Sequence, residues 1–245
     1  MSFLELHSVT KRFGGLKAVN EFSLSLGKGS LTALIGPNGC GKSTIFNLIS
    51  GTFAPTGGTI YFDGIDVTPL SAEKIAQMGV GRKFQVPAIF SELTVSQNLK
   101  VPTLQSKTAR SRKDAQKPLA EIMSLIRLTE KSDWIADQLS HGEKQWLEIG
   151  MILAQSPKLI LLDEPTAGMT LTETIATAEL IKKINTDGDV TVLVIEHDIG
   201  FIEQLQCPLT VMARGSILKS GDFEAIRGDK EVQELYFGSK GSVHA

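Results

Sequence analysis

Hydrophobic and polar residues alternate in three segments of the N-terminal part of the chain. These segments cover residues 3–6, 22–26 and 59–62, and the last of them ends in the turn pair Asp63-Gly64. A period of two residues is typical of strands that bury one face and expose the other. The pattern therefore predicts a small antiparallel sheet in this part of the protein.

Nearly continuous apolar runs mark a second kind of segment, at residues 31–35, 159–162 and 190–195. Such runs are typical of parallel strands that are covered by helices on both faces. Between about residues 86 and 156 the hydrophobic period becomes helical instead. We therefore expect an α/β core that carries an inserted helical subdomain.

Length and composition agree with one folded domain. The chain has 245 residues, of which 42% are hydrophobic and 21% are charged, as in soluble globular proteins. We expect a single domain over residues 1–238 and a flexible tail over residues 239–245. The net charge of −2 gives no electrostatic support to nucleic-acid binding.

The sequence gives no sign of a targeting segment or of a membrane span. Residues 1–5 lack the basic start of a signal peptide, and no stretch approaches the ~18 apolar residues of a span. The two cysteines, Cys40 and Cys207, predict a reducing compartment without a disulfide framework. We expect a cytoplasmic protein that associates with a membrane only through partners.

Residues 36–44 have the clearest chemistry in the sequence. They match the phosphate-binding loop G-x-x-x-x-G-K-[ST] between a predicted buried strand and an apolar helix face. Glycines in such a loop let backbone N–H groups and the helix N-terminus point at one anion. Lys42 would reach the β- and γ-phosphates of a nucleotide, and the Ser43 hydroxyl would hold Mg²⁺. The candidate nucleotide-binding residues are Gly36, Pro37, Asn38, Gly39, Cys40, Gly41, Lys42, Ser43 and Thr44.

Two carboxylates, Asp163 and Glu164, directly follow the predicted strand at 159–162. Ligands of open α/β sheets bind at the carboxyl ends of the strands. Asp163 suits Mg²⁺, usually through water, and Glu164 suits the polarisation of a nucleophilic water. Glu196 is the alternative base.

A serine-capped helix start at residues 139–143 identifies the family. Ser140 and Gly142 place a hydroxyl and a glycine backbone at a predicted helix N-terminus, which makes a second anion site. Taken alone, this sequence would be an ordinary helix cap. Because it follows a phosphate loop and precedes the Asp163-Glu164 pair by about twenty residues, it resembles the signature of ATP-binding-cassette (ABC) ATPases. The resemblance implies a P-loop NTPase core with an N-terminal antiparallel β subdomain and an inserted α-helical subdomain.

Three further residues match elements of ABC ATPases in the family's order. Phe13 matches the aromatic residue that stacks on adenine. Gln85 matches the glutamine that contacts Mg²⁺ and communicates with transmembrane partners. His197 matches the histidine that contacts the γ-phosphate. Outside this order, a lone phenylalanine or histidine at a strand end is usually structural.

The resemblance implies a composite active site for ATP. One ATP lies between the phosphate loop of one subunit and the signature of a second ABC ATPase, so a head-to-tail homodimer or heterodimer has two sites. Hydrolysis removes the γ-phosphate that joins the two halves, and the dimer opens. The implied roles are catalysis by Glu164, His197 and Gln85, Mg²⁺ binding by Ser43, Gln85 and Asp163, and ATP binding in trans by Ser140 and Gly142.

Two residues depart from the family pattern. His141 stands where the signature usually has a second glycine, while Ser140 and Gly142 on either side are present. Thr170 stands where an aspartate is common, which puts in doubt the coupling between subunits that is attributed to that aspartate. ATP hydrolysis is still expected because Glu164 is present.

Peripheral segments point to one subgroup of the family. Residues 13–19, 140–151 and 232–238 resemble the ATPases of branched-chain amino-acid-type importers and, within that group, the ATP-binding subunit of the urea importer. This resemblance implies an ATP-hydrolysing subunit for the import of urea, short amides or branched-chain amino acids. It also implies two transmembrane permease subunits, a periplasmic or extracellular solute-binding protein, and a position on the inner face of the cell membrane.

Three other functions share parts of this pattern. An ABC exporter or a lipopolysaccharide-extraction system uses the same cassette with a similar helical insert. A soluble ABC protein of translation or DNA repair typically has two cassettes, a charged linker, a zinc module or a coiled-coil insertion, none of which the sequence contains. A metabolic P-loop kinase would have no use for the signature or for His197.

Two features allow more than one interpretation. Basic residues outnumber acidic ones over residues 100–117, either as a solvated surface or as a strip that faces anionic lipid or a partner. Cys40 lies among loop N–H groups beside Lys42, which would favour its thiolate and make it more reactive than Cys207. Otherwise Cys40 is a small residue turned away from the anion.

Overall fold

The computed structural model describes residues 2–83, 88–105 and 118–237. Its strands are β1 (Ser2–Phe13), β2 (Leu16–Gly27), β3 (Leu31–Ile35), β4 (Gly57–Phe62), β5 (Ile65–Asp66), β6 (Val80–Lys83), β7 (Leu159–Asp163), β8 (Thr191–Ile195), β9 (Leu209–Ala213) and β10 (Ser216–Gly221). Its α-helices are α1 (Lys42–Ile49), α2 (Ala72–Met78), α3 (Val95–Gln105), α4 (Leu119–Leu125), α5 (His141–Leu153), α6 (Leu171–Gly188), α7 (Ile199–Leu205), α8 (Phe223–Arg227) and α9 (Lys230–Phe237).

Strands β2, β1, β4 and β5 form an antiparallel sheet in that order. The hairpin of β1 and β2 pairs Leu4 with Leu26 and Leu6 with Leu24, so alternate positions of both strands carry apolar side chains. The predicted turn at 63–64 has positive φ at both residues, 52° and 78°, as a tight hairpin turn requires. The predicted antiparallel sheet is confirmed.

Strands β10, β9, β3, β8, β7 and β6 form the second sheet in that order. Neighbouring strands from β9 to β6 are parallel, whereas β10 is antiparallel to β9. Every residue of β7 and β8 is buried, as their continuous hydrophobic runs predict. The predicted α/β fold is confirmed.

Two hydrophobic clusters cover the two faces of the second sheet. One joins Phe46 of α1 and Phe22 of the antiparallel sheet to Leu161 of β7. The other joins Leu162, the next residue of β7, to Ile149 of α5 and to the helices around it. Helix α1, and the phosphate loop that precedes it, therefore lie in the layer between the two sheets.

The described residues between 88 and 156 are mainly helical, with α3, α4 and α5 packed on one another. The helices approach closely at Gly150, where a Cβ would lie 2.7 Å from Ile126 Cδ1 and 2.9 Å from Leu99 Cδ2. The helical character of this part is as expected, while the limits of a separate subdomain stay a prediction.

Some predictions fall outside the described residues, namely those for Gln85, for most of the basic strip at 100–117 and for the tail at 239–245. Across residues 2–83, 88–105 and 118–237, no helix combines the length and hydrophobicity that a bilayer span requires.

Candidate functional site

The phosphate loop runs from the end of β3 to the start of α1, and its shape depends on glycine. Gly36 has a φ of 156° and Gly41 a φ of 111°, which other residues rarely adopt. A Cβ at Gly36 would lie 2.2 Å from the carbonyl oxygen of Met212, and a Cβ at Gly41 would lie 2.5 Å from that of Ala18. Both contacts are with backbone atoms, so the loop keeps this shape only with glycine at both positions.

Lys42, the first residue of α1, points back into the loop. Its Nζ donates hydrogen bonds to the carbonyl oxygens of Gly36 at 2.6 Å and Pro37 at 3.1 Å, and the residue is only 6% exposed. A buried ammonium at a helix N-terminus favours the binding of an anion. The glycine cradle, the cation and the helix end therefore fit the phosphates of a nucleotide. The other predicted loop residues, Asn38, Gly39, Cys40, Ser43 and Thr44, lie along the same loop and first helical turn.

Ser43 and Asp163 lie next to each other, on α1 and at the end of β7. The Ser43 hydroxyl is close enough to the Asp163 carboxylate to help lower its pKa. Burial raises the pKa of Asp163, and Arg82, whose Nη2 lies 3.9 Å from Oδ2, opposes this rise. A hydroxyl and a carboxylate are the oxygen ligands that Mg²⁺ prefers. Both side chains therefore fit the predicted Mg²⁺ site, whose third predicted residue, Gln85, is outside the described residues.

Glu164 follows β7 in a left-handed backbone conformation, with a φ of 46°. Its N–H donates to the carbonyl oxygen of Ile195 at 2.9 Å, and its Oε1 lies 3.4 Å from Nδ1 of His197. The side chain of Glu164 is 20% exposed and that of His197 is 57% exposed. The structure therefore brings the predicted water-activating glutamate and the predicted γ-phosphate histidine together at the carboxyl ends of β7 and β8, where water can reach both.

Glu196 is buried beside these two residues and holds the backbone around them. Its carboxylate accepts hydrogen bonds from the N–H and the hydroxyl of Thr166, at 3.2 and 2.6 Å, and from the N–H of His197 at 3.1 Å. The residue is 1% exposed. A buried carboxylate with three donors positions the chain rather than activating a water. These contacts favour Glu164 over Glu196 as the base.

Arg82 and Lys83, at the end of β6, are two cations for which no role was predicted, and Arg82 is partly buried while Lys83 is fully buried. Lys83 is 0% exposed, and its Nζ lies 3.9 Å from Oε2 of Glu148 on α5. Burial lowers the pKa of Lys83, and Glu148 is the strongest of the carboxylates that oppose this shift. Arg82 donates to Oδ1 of Asn47 on α1 at 2.7 Å. The sequence signal for these residues is a pair of adjacent cations that ends two residues before Gln85. Such a pair is also typical of a strand end that is exposed to solvent.

Phe13 ends β1 and is 42% exposed. Its ring meets that of Phe53 edge-on with 5.4 Å between centroids, and Nζ of Lys11 lies 5.2 Å from the Phe13 centroid. The same hairpin carries Ala18 against Gly41 of the phosphate loop. An exposed aromatic ring on this hairpin suits stacking on a nucleotide base.

Ser140 caps α5, the signature helix, and Gly142 lies in its first turn. The Ser140 hydroxyl accepts the N–H of Glu143 at 3.2 Å, and Oε2 of Glu143 accepts the N–H of Ser140 at 3.0 Å. This reciprocal pair is a capping box, which fixes the serine at the helix end. The signature therefore forms the hydroxyl-bearing helix start that the sequence predicts.

The two departures from the family pattern make local contacts. His141 Nε2 donates to the carbonyl oxygen of Ala167 at 3.0 Å, which ties the signature to the loop after Glu164. Thr170 caps α6, because its hydroxyl accepts the N–H of Glu173 at 3.3 Å and its own N–H donates to Oε2 of Glu173 at 2.9 Å. Threonine thus supplies the helix cap that an aspartate would supply.

Cys40 lacks the reactive setting that one hypothesis predicted. It is 5% exposed and belongs to the hydrophobic cluster that contains Met212. Burial raises the pKa of the Cys40 thiol despite the opposing effect of Lys42, and burial raises that of Cys207 to about 11. The hypothesis of a stabilised Cys40 thiolate is wrong, because loss of solvation outweighs the nearby cation. Cys40 fills the loop as a small packed residue.

Known proteins are similar to this chain over almost its whole length. The family model for the ABC transporter matches residues 19–167. The high-affinity branched-chain amino acid transport ATP-binding protein BraF of Pseudomonas aeruginosa is 36% identical over 252 residues, which cover 96% of this chain and 97% of BraF. LivG of Escherichia coli, of the same description, is 36% identical over 248 residues, which cover 96% of this chain and 97% of LivG.

Solved structures agree with this similarity. The ADP conformation of MJ1267, an ATP-binding cassette of an ABC transporter, has a TM-score of 0.85 and 30% identity over 98% of this chain and all of that one. A dimeric, post-hydrolysis structure of the cassette MJ0796 bound to ADP and Pi has a TM-score of 0.76 and 26% identity over 90% of this chain and 99% of that one. The chain therefore belongs to the ABC transporter family and is one of its ATP-binding, ATP-hydrolysing subunits.

Proposed function

We propose that this protein energises a multisubunit ABC importer for small solutes, either branched-chain amino acids or urea and short amides. The observation that carries the proposal is the full-length similarity to BraF and LivG, both described as branched-chain amino acid transport ATP-binding proteins. The resemblance of residues 13–19, 140–151 and 232–238 to the urea importer's ATPase supports the second class of solute.

The cis half of the proposed site binds ATP within one subunit. The loop N–H groups and Lys42 would hold the β- and γ-phosphates, and Phe13 would stack on the adenine. The buried ammonium and the fixed glycines support this assignment, since preorganised donors need little rearrangement to bind an anion.

The trans half of the site would come from a second ABC ATPase, identical or homologous to this chain. Its Ser140 and Gly142, or their equivalents, would contact the γ-phosphate of the ATP bound by the first subunit. The capped helix start of α5 supports this role. The dimeric state described for the MJ0796 cassette supports the assembly.

In the proposed reaction, Glu164 accepts a proton from a water whose oxygen attacks the γ-phosphorus. The bond from that phosphorus to the bridging oxygen breaks, which leaves ADP and inorganic phosphate. His197 would orient Glu164 and the γ-phosphate, and its 3.4 Å distance from Glu164 supports this role. Ser43, Asp163 and Gln85 would hold Mg²⁺, which neutralises charge on the phosphates when bound.

The rest of the proposed transporter consists of two transmembrane permease subunits and a periplasmic or extracellular solute-binding protein. This subunit would lie on the cytoplasmic face of the membrane, attached to the permeases. The transport role in the descriptions of BraF and LivG supports such an assembly.

Reconstitution of the complete complex with its solute-binding protein in lipid nanodiscs tests the proposal. Stimulation of ATP turnover by leucine, isoleucine or valine would assign the first class of solute, and stimulation by urea or acetamide the second. A complex with Glu164→Gln controls for contaminating ATPases. An intact complex that responds to neither class would contradict the import proposal and favour an exporter or an extraction system.

A further inference from the structure

The start of the signature helix is in contact with an anion of the same chain, the carboxylate of Glu173 on α6. The Ser140 hydroxyl donates to Oε1 of Glu173 at 3.3 Å. The carboxylate also lies over Gly142, where a Cβ would be 2.5 Å from Oε1 and 2.7 Å from Cδ of Glu173. A negative charge thus sits on the hydroxyl and the glycine that the proposed function assigns to the partner's γ-phosphate.

The N-terminus of α6 holds the Glu173 side chain in this position. Its Oε2 accepts hydrogen bonds from the N–H and the hydroxyl of Thr170, both at 2.9 Å. These two bonds are the main reason that the pKa of Glu173 is below its usual range, and the Ser140 hydroxyl and His141 contribute less. The carboxylate is therefore ionised at neutral pH. One of its oxygens bonds to Thr170, the cap of α6, and the other to Ser140 of the signature.

The contact follows from the way α5 packs on α6. His141 Nε2 donates to the carbonyl oxygen of Ala167 at 3.0 Å, just before α6 begins. Further along α5, Trp146 Nε1 donates to the Thr177 hydroxyl on α6 at 2.8 Å. These two hydrogen bonds hold the start of α6 against the signature, so the capped Glu173 side chain meets Ser140.

We propose that Glu173 is an affinity-setting residue of the composite ATP site, because its carboxylate competes with the partner's γ-phosphate for Ser140 and Gly142. The inference rests on the proposed function, since it needs a γ-phosphate bound in trans. Carboxylate and phosphate oxygens both carry negative charge, so close approach of the two groups is unfavourable. One hydroxyl proton also cannot serve both groups. Closure of the ATP-bound dimer therefore requires the Glu173 side chain to leave the signature.

The competition weakens the ATP-bound dimer and favours its opening. A subunit that holds ADP presents no γ-phosphate, so Glu173 keeps its contact with Ser140. After hydrolysis and phosphate release the carboxylate returns to the hydroxyl, and a new γ-phosphate has to displace it again. Glu173 thus shortens the life of the closed dimer without touching the reacting atoms.

Glu173→Gln tests the effect of the negative charge while it keeps the helix cap. Glutamine at the third helical position preserves a capping box with Thr170, but it removes the negative charge from the signature. In a Glu164→Gln background, which keeps ATP intact, the monomer–dimer equilibrium with MgATP can be measured by analytical ultracentrifugation. We expect Glu173→Gln to lower the dimer dissociation constant by about tenfold for each site, the factor expected for one charge-assisted hydrogen bond. With MgADP in place of MgATP, the substitution should leave the monomer–dimer equilibrium unchanged.

Glu179→Gln is the matched control. It removes the same charge from the same helix, but Glu179 pairs with Arg127 at 2.6 Å rather than with the signature. The dimer dissociation constant with MgATP should stay at the parent value. An equal tightening by Glu179→Gln and Glu173→Gln would overturn the proposal, because it would make the effect one of net charge.

Ser140→Ala distinguishes failure of this proposal from failure of the proposed function. If Ser140→Ala leaves the ATP-dependent dimer unchanged, the composite site itself is wrong. If Ser140→Ala weakens the dimer but Glu173→Gln does not tighten it, the composite site stands and the competition by Glu173 is wrong.

The assembled transporter gives a second measurement that does not depend on dimerisation of free subunits. There, Glu173→Gln with Glu164 intact should lower the ATP concentration for half-maximal turnover, and Glu179→Gln should leave it unchanged. An unchanged or higher value for Glu173→Gln would contradict the proposal.

Discussion

The phosphate loop and the signature each present the N-terminus of a helix, but different contacts hold them. In the phosphate loop, Gly36 and Gly41 pack against backbone carbonyl groups of neighbouring strands. In the signature, Ser140 and Gly142 contact the end of a flexible side chain, that of Glu173. Backbone contacts change only if strands move, whereas a side chain can change rotamer in nanoseconds or less. The first region is preformed and the second is adjustable.

This difference agrees with what each region would do in the proposed cycle. The phosphate loop can bind ATP in a single subunit, so a rigid anion site there has no disadvantage. The signature would bind and release a phosphate of the partner in every cycle. A region with exchangeable hydrogen bonds suits that task, since no backbone has to rearrange when the dimer opens.

The largest expected effect concerns the carboxylate of Glu164, which follows β7. Glu164→Gln should lower ATP turnover by about 10²–10⁴-fold, since the amide keeps the shape but cannot accept a proton from water. ATP affinity should stay close to that of the parent, because the phosphate loop is unchanged. Phosphate-release assays and nucleotide titration measure the two quantities. Turnover near the parent rate would assign the base to another residue, with Glu196 the first to consider.

A comparison of two glycines tests the difference in rigidity directly. Gly41→Ala should lower the free energy of unfolding by ~2–5 kcal/mol, because its Cβ would meet the Ala18 carbonyl in a strained backbone conformation. Gly142→Ala should change it by less than ~1 kcal/mol, since Glu173 can move and alanine favours the helix. Urea denaturation measures both.

Gly39→Ala is the control for backbone strain alone. Gly39 has a φ of 78°, but a Cβ there would have no atom within 4 Å. Gly39→Ala should lower the free energy of unfolding by ~1–3 kcal/mol, which is less than the loss expected for Gly41→Ala. Equal losses for Gly41→Ala and Gly142→Ala would show that the two regions do not differ in rigidity.

The preformed region could be predicted from the sequence because its requirements are local. The spacing of glycines and Lys42 within a few residues determines the loop, and the capping sequence at Ser140 indicates a helix start in the same way. By contrast, the contacts of Lys83 with Glu148 and of Glu173 with Ser140 join distant parts of the chain. Their partners depend on how helices pack on the sheet, and no local pattern of a single sequence contains that information.

The strands also differ in how well the sequence predicts them. The runs at 159–162 and 190–195 lie within one residue of β7 and β8, because burial on both faces leaves a continuous apolar signal. β1 and β2 extend well beyond the predicted segments, since irregularities in their pairing interrupt the alternation. β6 is short and ends in two cations, so its hydrophobic pattern predicted no strand.

A smaller effect should separate binding in cis from binding in trans. Phe13→Ala should weaken ATP binding to a single subunit by ~1–3 kcal/mol through loss of base stacking, whereas Ser140→Ala should leave it unchanged. Phe13→Tyr, which keeps the ring, is the matched control. Titration with a fluorescent ATP analogue at protein concentrations too low for dimers measures all three. Equal affinities of Phe13→Ala and the parent would show that Phe13 only packs on Phe53.

The smallest expected effect is the response of Cys40 to nucleotide, which tests how closely the phosphate loop is packed. Only the thiolate reacts with maleimides, and burial raises the pKa of both Cys40 and Cys207. Both thiols should therefore label slowly in the folded protein and rapidly after unfolding in urea. MgATP should change the rate at Cys40 little, because this thiol packs in the cluster that contains Met212. Mass spectrometry of a Cys207→Ser variant isolates the Cys40 signal. Fast labelling of Cys40 that MgATP suppresses would place the thiol on the phosphate side, and it would show that the loop is as adjustable as the signature.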